Sequence, residues 1–142
     1  MGLLMGARSI GFVVTMFTMG SISDRIGRRL VLLFGLGATA VLIIIVNYVS
    51  SFCGLEFIFF GLGITTGSIW IVCPVLAEES VDLEYRSAAI GTYRTFFDLG
   101  SILGPMIMTA VMESIGVSAC FYIASALLLA NMAPTVRLLK RQ

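Results

Sequence analysis

Apolar residues along this chain fall into five runs, at about residues 3 to 22, 30 to 50, 54 to 77, 88 to 112 and 117 to 136. Each is close to the length, roughly 20 residues, that a helix needs to cross the hydrocarbon core of a bilayer. The breaks between them are short and polar: Gly20 to Arg29, Ser50-Ser51, Glu78 to Arg86, and Glu113 to Gly116. The pattern predicts an all-α, polytopic membrane protein of about five transmembrane helices. The first run does not read as a signal peptide, because it lacks a basic leader and a small-residue cleavage site and passes straight into a charged turn.

Composition agrees. Mean hydropathy is +1.04, hydrophobic residues make up 58% and charged residues 12%, about half the charged share of a soluble domain. The net charge of +1 says little as a total; the placement of the charges says more. Arg25, Arg28, Arg29, Arg86, Arg137, Lys140 and Arg141 are separated by even numbers of predicted crossings and so share one face. The other face carries Glu56 and Glu113, and its breaks have no lysine or arginine. The positive-inside rule makes the basic face cytoplasmic, so the expectation is a multi-pass cell-membrane protein with its C-terminus on the cytoplasmic side. Arg8, about one turn inside the outer end, is placed to snorkel.

Several chemistries find no support. No G-x-x-x-x-G-K-[ST] loop is present to cradle a nucleotide, and no basic patch suits a nucleic acid. Cys53, Cys73 and Cys120 are far apart, and without histidine a conventional zinc site is hard to build. No nucleophile and base arrangement stands out, so neither an enzyme, a cofactor nor a metal is predicted.

The first polar break is the most specific feature. Gly20, Asp24, Arg25, Gly27, Arg28 and Arg29 form G-x-x-x-D-R-x-G-R-R between two apolar runs. Three arginines and an aspartate in six residues cannot lie in hydrocarbon, so the chain must surface, turn and re-enter. Gly20 is suited to close helix approach and Gly27 to a tight reversal at positive φ. The stretch closely resembles the loop signature of the major facilitator superfamily of secondary transporters. That resemblance implies a conformational-switch loop on the cytoplasmic side, following the second helix of a six-helix half. It also implies that Asp24, Arg25, Arg28 and Arg29 stabilise one access state. The residues from Tyr85 to Pro105 resemble the eleventh helix of such a transporter, so that residues 1–142 would be a partial transporter domain, spans eight to twelve of twelve.

Partners for the hinge arginines follow from the face they share. Glu78 and Glu79 end the third run and Arg86 opens the fourth, an arrangement suited to carboxylate and guanidinium pairing. By resemblance, a glutamate at this place pairs with the hinge arginines; without it, Glu78, Glu79, Asp82 and Glu84 read as a solvated acidic loop.

The fourth run carries Arg94 and Asp98, four residues apart on one helical face where they can neutralise one another. Ser87, Gly91, Ser101, Pro105 and Thr109 continue that polar stripe. Asp98 lies roughly 15 Å along the helix, near the midplane. Intramembrane ionisable residues point to a substrate or proton pathway, formed by Arg94, Asp98, Ser101 and, from the third run, Trp70. A structural pair holding helices together is the competing reading. Gly100, Gly104 and Pro105 carry the G-x-x-x-G-P core of a motif associated with antiporters. Met106 to Thr109 depart from its continuation. Pro105 should bend the helix regardless. Gly61, Gly63 and Gly67 offer a close-packing face on the third run.

The resulting expectation is part of a transporter that moves a small solute by alternating access, with the lipid bilayer, the solute, a coupling proton and a missing N-terminal half as partners. The alternative is a truncated or small membrane scaffold or regulator, packed on a transporter and moving nothing by itself.

Overall fold

A computed structural model describes residues 2–139, with side chains through residue 136. Five helices account for almost all of it: α1 (Gly2–Ile26), α2 (Arg28–Val46), α3 (Phe52–Glu79), α4 (Arg86–Ile115) and α5 (Val117–Leu139), with one short 3₁₀ turn at Leu83–Tyr85. All five contain a stretch long and apolar enough to cross a membrane. The described residues contain no strand.

The connections are tighter than the sequence pattern suggests. The stretch from Gly20 to Arg29 is not a loop, because α1 stays helical through Ile26 and α2 starts at Arg28. Gly27 alone reverses the chain, with φ of 102°, a conformation that glycine reaches without steric cost. The expected break from Glu113 to Gly116 shrinks in the same way: α4 runs through Glu113 to Ile115, and Gly116, at φ of 106°, makes the turn. Conversely, α2 ends four residues before the apolar run does. The amide N–H groups of Asn47 and Tyr48 bond back to the carbonyls of Ile44 and Ile45, at 3.1 and 2.9 Å. These tighter bonds, three residues back along the chain, close the helix.

The helices α1 and α3 run parallel and touch most intimately. A methyl group added at Gly11 would overlap the carbonyl oxygen of Phe60, and one at Gly63 would overlap that of Arg8. Gly67 faces Thr15, whose hydroxyl bonds to the carbonyl of Gly11 at 2.8 Å and reaches that of Ile64 at 3.3 Å. Between apolar helices in lipid, close packing through small residues replaces a hydrophobic drive. Of the glycines expected to pack on α3, Gly63 and Gly67 form this seam, while Gly61 faces Leu42 of α2.

On the other side of α3 lies α2, with Gly35 against Ile69. Antiparallel to α2 runs α5, where the buried Ser125 hydroxyl donates to the carbonyl of the fully buried Ala40 at 3.2 Å. Loosely, α4 closes the circuit between α3 and α5 and buries none of its described side chains within this chain.

Candidate functional site

Two places hold the charged residues singled out by the sequence. The first is the hinge end of the bundle, where α1, α2 and α3 meet. Arg28, the first residue of α2, donates to Asp24 of α1 through Nε at 3.1 Å and through Nη2 at 2.8 Å. Its Nη1 donates to Oε1 of Glu79 at the end of α3. One planar guanidinium thus bridges two carboxylates on different helices, which its fixed fork of donors allows and a lysine ammonium would not. Beside it, Arg86 at the start of α4 pairs with Glu78 at 3.4 Å. The hinge ends of all four helices are linked by two charge clusters with neighbouring carboxylates, Glu78 and Glu79.

These pairs are not deeply buried. The side chains of Arg28 and Glu79 are 29% and 50% exposed, so each pair contributes about 0.2 to 1 kcal/mol. Contacts that weak can hold a conformation and still be broken without unfolding the bundle. Arg25 is exposed on the last turn of α1. Gly20, expected to allow close approach, has open space around it in this chain. Its neighbour Ser21 is also exposed, so that face of α1 meets none of the other four helices.

The second place is a cavity of about 130 Å³ between α3 and α4. Trp70 and Pro74 line it from α3, and Ile90, Tyr93, Arg94, Phe97 and Asp98 from α4. Trp70 meets Phe97 edge to face, with ring centroids 4.7 Å apart and planes at 87°. On its other side Trp70 approaches Phe12 of α1 at 6.4 Å, and Tyr93 lies 6.3 Å from Phe97. Aromatic edges therefore continue across three helices, in the offset and T-shaped arrangements that ring quadrupoles favour.

Arg94 and Asp98 line this cavity together, yet they form no ion pair with each other or with any other charge among the described residues. The expectation that they neutralise one another is corrected by the geometry: an i, i+4 spacing permits a pair and does not oblige one. Ser101, expected beside them, turns its hydroxyl back to the carbonyl of Phe97 at 3.0 Å and is not part of the lining. Gly100 and Gly104 have no neighbour where a methyl would sit, and α4 continues as helix past Pro105.

The sequence reading missed two of the cavity's rings, Tyr93 and Phe97, and the Phe12 ring that meets Trp70 from outside the lining. Tyr93 and Phe97 are four residues apart on the helix that carries Arg94 and Asp98, so the spacing that selected the charges also selects the rings. Phe12 had no such signal, because only the glycine seam brings α1 so near α3.

The sequence signature of the Major Facilitator Superfamily matches residues 1–142. The chain belongs to that family. Its relatives are distant. A protein named multidrug resistance protein MdtG from Enterobacter lignolyticus is 23% identical over 140 residues, covering 99% of this chain and 34% of the relative. Its Escherichia coli K12 counterpart is 22% identical over 141 residues, covering 99% and 35%. Solute carrier family 22 member 3 of Rattus norvegicus is 32% identical over 100 residues, covering 68% of this chain and 18% of the relative. The chain thus spans about a third of the length of the MdtG relatives it matches. No solved structure matches it. As a facilitator-superfamily member with five candidate spans, it is a multi-pass membrane protein.

Proposed function

We propose that this chain forms one side of a secondary transporter that carries a small solute across the membrane by alternating access. The observation that supports this most directly is the bridge from Arg28 to Asp24 and Glu79, which ties α1, α2 and α3 together at one end only. In a family whose two halves rock about a midplane cleft, a bridge internal to one side holds these three helix ends as a unit and sets the charged surface they present to the other half. The hinge face is cytoplasmic on this reading, since Arg25, Arg28, Arg29 and Arg86 lie there, opposite Glu56 and Glu113. Arg137, Lys140, Arg141 and Gln142, which complete that asymmetry, lie outside the described side chains. The cavity with Arg94 and Asp98 then opens on the pathway, with a proton as candidate coupling ion, and the other half of the cleft comes from a further set of helices. The names of the relatives, a multidrug resistance protein and a solute carrier, fit a small-molecule cargo.

The test is solute flux. Proteoliposomes carrying this chain together with the complementary half should accumulate a solute that empty vesicles do not. Asp98→Asn should reduce flux far more than membrane insertion. Association of the two parts without flux of any tested solute would favour the scaffold reading instead. Normal flux in surviving Asp98→Asn molecules, with insertion impaired, would make Asp98 a packing residue.

A further inference from the structure

The cavity between α3 and α4 combines three features: aromatic walls, a carboxylate, and a guanidinium that does not neutralise it. From these we infer that it receives the ring of a zwitterionic solute, with Asp98 holding the ammonium and Arg94 the carboxylate. The inference rests on the transporter reading of the same site and adds the chemical class of its cargo.

Size is the first argument. A dry cavity of roughly 150 Å³ takes up benzene, and a drug-sized pocket runs to roughly 300 Å³ or more. At about 130 Å³ this cavity has room for one ring, and its mouth is open on the side where Arg94 and Asp98 are exposed. Its walls suit a ring. Trp70 and Phe97, fixed edge to face, present both an edge and a face to a third ring, and Tyr93 lies alongside Phe97.

Charge is the second. Ionised groups at membrane depth are costly unless compensated, and Arg94 and Asp98, both exposed on α4 within this chain, have no ionic partner among the described residues. A cationic solute would satisfy Asp98 and leave Arg94, and an anionic solute would do the reverse. A solute with both charges satisfies both groups at once. Arg94 can grip a carboxylate with two parallel N–H donors. An ammonium at Asp98 would also lie within reach of the aromatic faces, which attract cations. With the ring in the cavity and opposite charges at Asp98 and Arg94, the solute would be held at three points in a single orientation.

Trp70 is the chain's one tryptophan, and it lines the cavity, so its fluorescence reads occupancy without any need for transport. The purified protein in lipid nanodiscs would be titrated with three probes that share one ring: phenylalanine, 2-phenylethylamine and 3-phenylpropionate. Phenylalanine should give a saturable change in Trp70 emission, and each singly charged analogue should bind about tenfold more weakly, as expected for loss of one charge-assisted contact. Asp98→Asn should bring phenylalanine down to the level of phenylpropionate, and Arg94→Gln should bring it down to that of phenylethylamine, with helicity by circular dichroism unchanged. The comparison of probes on the unaltered protein needs neither variant to fold. Equal or tighter binding of phenylethylamine would make this a cation site, and equal or tighter binding of phenylpropionate an anion site. No saturable change with any probe, in protein of intact helicity, would mean that the cavity takes no ring-bearing solute. Each of these results overturns the inference and leaves the transporter reading standing, whereas binding without flux in the reconstituted assembly would defeat transport alone.

Discussion

Arg28 and Glu79, fifty-one residues apart in sequence, meet as an ion pair at the hinge end of the bundle, and the same guanidinium holds Asp24. The contact joins the start of α2 to the end of α3, while Asp24 adds the last turns of α1. It is a partly exposed pair, so its value for stability is small, and its effect should lie in the balance between conformations.

Reversing the charges separates those two effects. Glu79→Arg should shift the protein away from the state with the hinge ends together, and Arg28→Glu combined with Glu79→Arg should restore it in part, since Asp24 then opposes the new glutamate. Cysteine-accessibility labelling of the hinge face would read the shift. The melting temperature in detergent should change little, because each single loss is worth about 0.2 to 1 kcal/mol. A large thermal shift with no change in labelling would assign the pair to stability.

The glycines divide into two groups with opposite expectations. Gly63→Ala places a methyl into the backbone of α1 at Arg8, and overpacking of this kind typically costs about 1 to 3 kcal/mol. Gly100→Ala meets open space and should be neutral or slightly stabilising within this chain, as alanine is the better helix former by about 1 kcal/mol. Thermal unfolding of the two variants in one detergent tests the contrast. Comparable losses in both would mean that α4 is packed against something at Gly100.

Gly27 and Gly20 sit seven residues apart in one motif and do different work. Gly27→Ala forces a side chain into φ of 102°, a strain of about 1 to 3 kcal/mol, and should lower the yield of folded protein. Gly20→Ala lies in regular helix with nothing near it and should leave folding unchanged. Any loss of flux in Gly20→Ala would then report a contact made with helices outside this chain.

Topology is testable without any knowledge of the solute. A reporter inserted at Val81, in the connection between α3 and α4, and another at Gly116, between α4 and α5, should report opposite sides of the membrane, the first cytoplasmic. Matching signals at the two sites would remove α4 as a crossing.

The helices were legible in the sequence because their signal is length: twenty or so apolar residues have few alternatives. Their ends were not. The charges from Asp24 to Arg29 look like a loop, but a helix can carry charged residues past the hydrocarbon and still stay helical, so the reversal contracted onto Gly27. The ion-pair partners Glu79 and Glu78 could be chosen because helix succession placed them on the hinge face. Which guanidinium would take which carboxylate depended on the turn geometry at Gly27, which no spacing encodes. Around Asp98 the failure was of another kind. Periodicity on α4 alone selected Arg94, Asp98 and Ser101 as one face, whereas the cavity is defined by what α3 brings opposite, and Trp70 and Pro74 stand across from Arg94 and Asp98 but not from Ser101.

The seam at Gly11, Gly63 and Gly67 also acts as a ruler. With backbones in contact, α1 and α3 cannot slide or roll past each other, so the phase of one fixes the phase of the other. From Gly11 to Asp24 and from Gly63 to Glu79 the two helices carry that phase to the hinge end, where Arg28 closes the gap between them. A single residue inserted in α1 between Gly11 and Asp24 would rotate everything beyond it by about 100° and advance it by about 1.5 Å, turning Asp24 and Arg28 together away from Glu79 on α3 with no charge altered. The electrostatics of the hinge are in that sense set by a carbonyl-to-glycine contact many residues away, deep in the apolar part of the bundle.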